Sequence, residues 1–393
     1  MKKKIYLDYA ATTPVDPRVV KTMMPFLSDE FGNSMSLHTM GQKAKIALEN
    51  SRKTVADFIN ASSNEIIFTG SATESNNTVL KGLALAMPKT SRARHMIISS
   101  IEHPCIAETA EWLEKETCLP ADRGWKITKL PVDKYGMVNP EDVKNAIKPE
   151  TILVSVIHAS NEIGTIQKIS EIGKICRENN VYFHTDASQS FGKVAIDVKK
   201  MNIDLLTASS HKIYGPKGVG LLYVRQGIRL MPLLHGGGQE NGLRGSTVNV
   251  PAVVGFAEAV EIYKQEAKKE NAKLIKLRDQ LIKGLLKING SHLNGHPTQR
   301  LSNNVNVWFE FVEGESLIIQ LDMHGVECST GSACSSLSLE PSPVLLATGL
   351  KPQEAHGSLR ISLGRYTKES DIKYLIKILP GIIKKIREIS PFK

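Results

Sequence analysis

The segment Ser209-Ser210-His211-Lys212-Ile213-Tyr214-Gly215-Pro216-Lys217-Gly218 is the most informative stretch of this 393-residue chain. It follows an apolar run at residues 203–208, which predicts that Lys212 is presented from a loop at a strand end. Most lysines are solvated surface charges, and that interpretation stays open here. A lysine presented from such a loop can instead hold the aldehyde of a cofactor.

Apolar, β-branched runs alternate with helical patterns over the first two-thirds of the chain. The runs lie at residues 65–68, 96–99, 152–157, 181–184 and 219–224. Alternating strands and helices predict an α/β fold with a mostly parallel sheet. In such a sheet ligands bind beyond the carboxyl ends of the strands, and polar residues follow each of the first four runs. We expect these residues to form one site.

Several of the polar residues suit a phosphorylated cofactor. Gly70, Ser71, Ala72 and Thr73 lie at a predicted helix N-terminus, where free N–H groups and hydroxyls can bind phosphate, although Ser and Thr are also ordinary helix caps. Asp186 follows a buried-looking strand and either faces a protonated pyridine nitrogen or caps a helix. His103, at another strand end, is either a core residue or a flat ring over a cofactor that shuttles protons.

The cysteines point to one reactive thiol. Cys334 lies in Ser329-Thr330-Gly331-Ser332-Ala333-Cys334-Ser335-Ser336, which we expect to form an exposed loop because its residues are small. A cysteine there can act as a nucleophile if its thiol pKa is lowered. Cys328 follows an apparent strand and is predicted to be structural. The five cysteines lack Cys-x-x-Cys spacing, which argues against a zinc site or a disulfide framework.

The C-terminal third is predicted to form a smaller α+β domain. Residues 257–287 carry apolar side chains at helical spacing, and residues 304–309 and 359–363 have the pattern of strands. We therefore predict a large domain at residues 1–256 and a small domain at residues 257–393. Arg360 lies between apolar residues of a strand, so its guanidinium should pair with a carboxylate, either of a substrate or of the protein.

Composition favours a soluble, cytoplasmic protein. Asp8 interrupts the first apolar stretch, and no run reaches ~18 apolar residues, so neither a signal peptide nor a membrane span is expected. Lys and Arg exceed Asp and Glu by 50 − 40 = 10, but apart from a basic tail at residues 383–387 the charge is scattered. We therefore expect neither a membrane nor a nucleic acid as a direct partner.

Together these segments resemble the cysteine desulfurases of the pyridoxal-phosphate (PLP) aminotransferase superfamily, in the iron–sulfur and nitrogen-fixation group. The resemblance runs nearly end to end. It rests on the lysine segment and on Tyr6-Leu7-Asp8-Tyr9-Ala10-Ala11-Thr12-Thr13-Pro14, Ala72-Thr73-Glu74-Ser75-Asn76-Asn77, Asn161-Glu162-Ile163-Gly164, Gly236-Gly237-Gly238-Gln239-Glu240, Gly331-Ser332-Ala333-Cys334 and Arg360-Ile361-Ser362-Leu363-Gly364-Arg365. It implies a fold type I homodimer that binds PLP and takes sulfur from L-cysteine. Sulfur would be held on Cys334 as a persulfide, then passed to an acceptor or scaffold protein for iron–sulfur cluster assembly or nucleic-acid thiolation.

The same resemblance implies a role for each site residue. Lys212 would bind PLP covalently and remove the substrate's α-proton, His103 would stack on the ring, and Asp186 would face the pyridine nitrogen. Further cofactor contacts would come from Ala72, Thr73, Asn161, Gln189, Ser209, His211 and, from the other subunit, Thr247. The substrate carboxylate would be bound by Arg360, Asn33 and Asn161. No metal is implied, except that Cys334 can share an iron–sulfur cluster with a scaffold protein.

Four segments depart from the family pattern. They are Ser34-Met35-Ser36-Leu37-His38, Ser160, Arg244-Gly245-Ser246-Thr247 and Thr330, and none includes Lys212, Cys334, Asp186 or His103. A specialised acceptor or pathway, such as DNA phosphorothioation or tRNA thiolation, would fit these departures. The alternatives are a selenocysteine lyase or an aminotransferase of the same fold, and a catalytically silent scaffold.

Overall fold

The computed structural model describes residues 4–88, 93–116, 124–331 and 340–390. The strands within these residues are β1 Ile5–Tyr6, β2 Ile66–Thr69, β3 His95–Ser99, β4 Lys126–Leu130, β5 Thr151–Ser155, β6 Tyr182–Asp186, β7 Leu205–Ser209, β8 Gly220–Val224, β9 Ser291–Leu293, β10 Asn304–Phe309, β11 Val326–Glu327 and β12 Ser358–Ser362. The helices are α1 Pro17–Met23, α2 Pro25–Ser28, α3 Thr39–Phe58, α4 Ala72–Ala86, α5 Pro104–Glu116, α6 Pro140–Ala146, α7 Ile169–Glu178, α8 Val250–Leu285, α9 Gly314–Met323, α10 Pro343–Ala347, α11 Pro352–His356 and α12 Glu369–Ile389.

A large sheet of mostly parallel strands organises the first two-thirds of the described chain. Its strand order is β2-β8-β7-β6-β5-β3-β4. β8 is antiparallel to both β2 and β7, whereas the other neighbouring pairs are parallel. The carboxyl ends of β2, β3, β5, β6 and β7 therefore lie along one edge of the sheet. The predicted α/β fold with a mostly parallel sheet is confirmed.

Two apolar clusters pack against the two faces of this sheet, so its strands are buried on both sides. One cluster includes Phe183, Phe191 and Phe256, and the other includes Leu80 and Ile98. Strands buried on both faces have continuous apolar runs, without the alternation of a half-exposed strand. This is why the runs were visible in the sequence.

The C-terminal part has its own core around a three-stranded antiparallel sheet in the order β12-β10-β9. Leu281 of α8 and Leu379 of α12 pack in this core, and so do Ile5 and Leu7 from the beginning of the chain. β1 pairs with β11 in parallel, which brings the N-terminal strand to the C-terminal core. The predicted α+β character is present here.

Helix α8 passes from one core to the other. Val260 packs with the large sheet, whereas Leu274 packs with the small one. The domain boundary predicted after residue 256 falls inside this helix and stays a prediction. Among the described residues, none of the helices is both long and apolar enough to cross a membrane.

Candidate active site

A cavity of about 420 Å³ opens at the carboxyl ends of the parallel strands. Predicted site residues form much of its wall: Ala72, Thr73, His103, Asn161, Asp186, Gln189, Ser209, His211, Lys212 and Arg360. They come from segments that are far apart in the sequence and meet because their strands end at the same edge of the sheet. The volume is within the range of ordinary ligand sites, roughly 300–1,000 Å³.

Lys212 is held in the cavity wall by the N-terminal segment of the chain. It closes the short 3₁₀ turn Ser210–Lys212 that follows β7. Its Nζ donates hydrogen bonds to the carbonyl oxygens of Ala10 at 2.6 Å and Ala11 at 2.8 Å. The amine is therefore positioned by backbone acceptors, which orient it without neutralising its charge.

Asp186 ends β6 and is buried. Its Oδ1 accepts hydrogen bonds from the backbone N–H and the hydroxyl of Ser188, at 2.8 and 2.5 Å. Its Oδ2 accepts one from Nδ2 of Asn76 at 2.7 Å. A buried carboxylate that also lines the cavity can face a cationic ring nitrogen, because opposite charges are the usual partners of buried carboxylates.

His103 lies directly before α5 and lines the cavity. Its Nδ1 accepts a hydrogen bond from the backbone N–H of Cys105 at 3.2 Å and lies 3.0 Å from Sγ of the same residue. Burial lowers the pKa of His103, although Asp186 acts in the opposite direction. The ring is thus favoured in its neutral form and is bound to the helix N-terminus through one nitrogen.

The N-terminus of α4 forms another part of the wall, where Gly70, Ser71, Ala72 and Thr73 line the cavity. The Ser71 hydroxyl caps the helix by accepting from the N–H of Glu74 at 3.1 Å, so the predicted capping function is real for this serine. First-turn N–H groups have no acceptor within their helix and attract anions.

A cationic side chain joins the helix N-terminus in this wall. The exposed Lys217 lines the cavity together with Ser209 and His211. The His211 pKa is lowered to about 4, first by burial and then by Lys212, Lys217 and Lys193. A helix N-terminus, a hydroxyl and a cation together suit a phosphate group.

Arg360 is 2% exposed and lies at the centre of β12. Nη2 donates to Oδ1 of Asp8 at 2.9 Å, and Nη1 donates to the carbonyl oxygen of Gly331 at 3.0 Å. Its buried Nε has no hydrogen-bond partner within the described residues. The predicted carboxylate partner within the protein is thus present, and the same arginine also lines the cavity.

Three predicted residues are not placed in the cavity wall. Asn33 is exposed and its Oδ1 accepts from the N–H of Met35 at 3.0 Å. Thr247 is exposed as well, and its predicted contact is with the other subunit. Cys334 lies outside the described residues. Their roles remain predictions.

Sequence reasoning missed several wall residues. Ala10 and Ala11 supply the carbonyl groups that hold Lys212, and Cys105 lies against His103. The only available signal for the two alanines was their membership of a motif, because an alanine side chain carries no chemistry. Cys105 was visible as a cysteine two residues after His103, a spacing that places it in the first turn of the helix.

A family model described as aminotransferase class-V matches residues 5–375 of the chain. The cysteine desulfurase IscS of Methanosarcina thermophila is 51% identical over 389 residues, which cover 99% of this chain and 94% of that protein.

Solved structures give the same result. A structure titled NifS-like protein superposes with a TM-score of 0.90 at 36% identity and covers 98% of this chain and 100% of its own. A structure titled SspA in complex with cysteine superposes with a TM-score of 0.80 at 40% identity, covering 93% of this chain and 100% of its own. The cavity residues, the family match and these full-length relatives agree, and the chain belongs to the class-V aminotransferase family and, within it, to the cysteine desulfurases.

Proposed function

We propose that this enzyme converts L-cysteine into L-alanine and holds the removed sulfur as a persulfide on Cys334. The observation that carries the proposal is the meeting of Lys212, Asp186, His103 and Arg360 in one cavity. A similar solved structure is titled as a complex with cysteine, which supports the same substrate here.

PLP fits the residues of the cavity. Lys212 would bind it covalently, Asp186 would face the pyridine nitrogen and Gln189 would lie near the phenolic oxygen. The N-terminus of α4, with Ser209 and His211, would hold the phosphate. Bound there, PLP supplies an electron sink that stabilises negative charge at the α-carbon of an amino acid. This fit is supported by the cavity lining, since a carboxylate, an amine and a helix N-terminus suited to anions all line the same 420 Å³ cavity.

The protein's own groups bind the substrate and move its protons. Arg360, with Asn161 beside it in the wall and Asn33, would bind the substrate carboxylate, because a guanidinium pairs well with a planar anion. Lys212, once its Nζ is not bonded covalently, is the base for the α-proton. Burial lowers the pKa of His103 and so favours its neutral form, which can donate a hydrogen bond without adding charge beside the lysine.

Sulfur leaves the substrate through attack by the Cys334 thiolate. A sulfur–sulfur bond forms as the bond between Cβ and sulfur of the substrate breaks, and Cβ then gains a proton. The products are L-alanine and Cys334 persulfide, so no external oxidant is needed. A thiol reductant or an acceptor protein removes the terminal sulfur.

The proposal includes a homodimer, since Thr247 is exposed in the single chain and would reach the partner's cofactor phosphate. Phe31 and Leu37 are 70% and 92% exposed, which supports a covering subunit at residues 31–37. The sulfur acceptor would serve iron–sulfur cluster assembly or nucleic-acid thiolation. A cytoplasmic location belongs to the same proposal and agrees with Cys105, Cys176 and Cys328 being free thiols.

The test compares the wild type with Cys334→Ala and the control Cys328→Ala. Alanine and sulfide are measured from L-cysteine with a thiol reductant, and the visible spectrum of each protein is recorded. We expect equimolar products from a yellow wild type and their loss in Cys334→Ala. The Cys328→Ala variant should stay active, because burial raises the pKa of that thiol to about 12 and keeps it protonated.

Two outcomes would contradict the proposal. Full turnover of the amino acid by Cys334→Ala would favour an aminotransferase, which needs no thiol nucleophile. A yellow wild-type protein that makes neither product would keep the PLP assignment and exclude L-cysteine as a sufficient substrate.

A further inference from the structure

A chain of hydrogen-bonding groups connects Asp186 to His103 along one wall of the cavity. Nδ2 of Asn76 lies 2.7 Å from Oδ2 of Asp186 and 3.1 Å from Sγ of Cys105. Sγ of Cys105 in turn lies 3.0 Å from Nδ1 of His103. Asn76 is fully buried, and both Cys105 and His103 line the cavity. The carboxylate of Asp186 and the imidazole of His103 are therefore linked through the side chains of Asn76 and Cys105.

The direction of each hydrogen bond follows from the atoms involved. The Asn76 amide donates one hydrogen to the carboxylate of Asp186 and the other to the sulfur of Cys105, which therefore acts as an acceptor. The Thr73 hydroxyl also interacts with this thiol and, like the Asn76 amide, acts as a donor to the sulfur. The thiol hydrogen is not used by these bonds, and Nδ1 of His103, 3.0 Å away, can accept it. The backbone N–H of Cys105 also points at Nδ1. With two donors directed at it, Nδ1 carries a lone pair and no hydrogen.

We propose that Asn76 and Cys105 are positioning residues that keep His103 neutral with its hydrogen on Nε2. The functional part of this inference rests on the proposed desulfurase function, in which His103 stacks on the cofactor ring. A ring fixed in this tautomer presents a donor through Nε2 and adds no positive charge next to Lys212. If the Cys105 thiol gave up its hydrogen, it could no longer donate to Nδ1 of His103.

The electrostatic surroundings agree with this arrangement. Burial, with Asp186 nearby, raises the pKa of the Cys105 thiol to about 12, so the donor hydrogen is retained at neutral pH. The charges that act on His103 are Asp186 on β6, Lys212 after β7 and Glu108 on α5. Position before the N-terminus of α5 also disfavours an imidazolium, because the helix dipole is positive there.

The experiment measures the ring nitrogens of His103 directly. Long-range proton–nitrogen NMR spectra of the ¹⁵N-histidine-labelled, full-length protein as isolated are recorded across pH 5–8, with His103→Gln used for assignment. The variants are Cys105→Ala, which removes the side-chain donor, and Cys105→Ser, which keeps a hydroxyl donor. Cys176→Ala is the matched control, because Cys176 is a buried thiol of α7 in the large core.

We expect the wild-type spectrum to show an unprotonated Nδ1 and a protonated Nε2. In Cys105→Ala the ratio of protonated to neutral His103 at a fixed pH should rise about threefold to tenfold, the effect of one lost hydrogen bond to the neutral ring. Cys105→Ser and Cys176→Ala should titrate like the wild type. The acid limb of the pH dependence of kcat should move to higher pH in Cys105→Ala.

A wild-type ring with its hydrogen on Nδ1 would overturn the inference, and so would a Cys105→Ala variant whose His103 titrates like the wild type. The NMR result is independent of turnover. If desulfuration fails while the ring nitrogens behave as expected, the proposed function is refuted and the tautomer assignment stands.

Discussion

The burial of Glu102 near the cavity makes the stability of the protein depend on pH. Glu102 directly precedes His103 and is 5% exposed. Its Oε1 accepts hydrogen bonds from the hydroxyl of Ser99 and the N–H of Ile157, at 2.6 and 2.7 Å. Its Oε2 is buried without a partner within the described residues. Burial raises the pKa of Glu102 to about 8, so the folded protein holds a proton that the unfolded chain releases at lower pH.

Glu102→Gln should remove this pH dependence. Because the folded-state pKa is above the unfolded value, the proton stabilises the fold at low pH, and that stabilisation is lost as pH rises from about 4.5 to 8. The variant should therefore become more stable relative to the wild type by on the order of 3 kcal/mol between pH 5 and pH 8, with only a small further gain above pH 8. Urea unfolding of both proteins at pH 5, 7, 8 and 9 checks this, and parallel curves would contradict it.

The second prediction at the scale of a single residue concerns Arg360, the proposed ligand of the substrate carboxylate, and the variant Arg360→Lys. Lysine keeps the charge but cannot present the forked donors of a guanidinium, so a charge-assisted bond to the substrate carboxylate should be lost. We expect kcat/KM for L-cysteine to fall about tenfold to a hundredfold, mostly through KM. Steady-state kinetics measure the loss, and the visible spectrum serves as the control for bound cofactor. Unchanged KM would argue against Arg360 as the carboxylate ligand.

At the scale of elements, a buried ion pair fastens the turn Glu240–Gly242 to α3 and β2. Arg52 of α3 donates to both oxygens of Glu240, at 2.8 and 2.7 Å. The N–H of Phe68 in β2 donates to the same carboxylate at 2.7 Å. Glu240 and Asn241 have φ of 47° and 56°, so the ion pair holds a turn that is unfavourable for residues with a Cβ.

Arg52→Met should destabilise the protein by about 3–5 kcal/mol, since it leaves the Glu240 carboxylate buried without its cation. The double variant Arg52→Met/Glu240→Gln should recover most of that loss, because glutamine keeps an acceptor for the Phe68 N–H and carries no charge. Urea unfolding of the single and double variants forms a double-mutant cycle. Equal destabilisation in both would show that packing, and not charge, accounts for the loss.

At the scale of the whole molecule, Arg365 connects segments from both ends of the chain. Its Nη1 donates to Oδ2 of Asp16 at 2.6 Å, and its Nε donates to Oε2 of Glu270 on α8 at 2.8 Å. Its backbone N–H donates to the hydroxyl of Tyr214 at 2.6 Å, and its guanidinium lies 4.4 Å from the centre of that ring. The lysine-bearing turn is thereby joined to the N-terminal segment, to α8 and to the residues after β12.

Arg365→Gln should cost about 3–5 kcal/mol of unfolding free energy, because Asp16 and Glu270 lose a largely buried cation. Arg18→Gln is the matched control, since Arg18 also pairs with Asp16 but has a side chain that is 49% exposed. The control should cost only about 0–1 kcal/mol. Urea unfolding followed by circular dichroism measures both, and equal effects would contradict the dependence on burial.

Prediction from sequence succeeded where the pattern is local. The strand predicted at residues 304–309 has the same bounds as β10, and the helix predicted at residues 257–287 overlaps most of α8. That helix begins seven residues earlier, since the Asn249 side chain caps it by accepting from the N–H of Ala252. The strand Lys126–Leu130 was missed because it lies at the sheet edge and is partly exposed, so its two lysines interrupt any apolar run.

Local sequence was enough to indicate a parallel sheet, to single out Lys212 and Cys334 as candidates for reactive residues and to suggest the family. Tertiary structure alone showed that the Ala10 and Ala11 carbonyls hold Lys212, that Asp8 pairs with Arg360, and that Asn76 and Cys105 link Asp186 to His103. The physical reason is that periodicity and turn chemistry act between neighbours in the chain. Hydrogen-bond partners such as Asp8 and Arg360, which are 352 residues apart, meet only after strand order and core packing have brought them together.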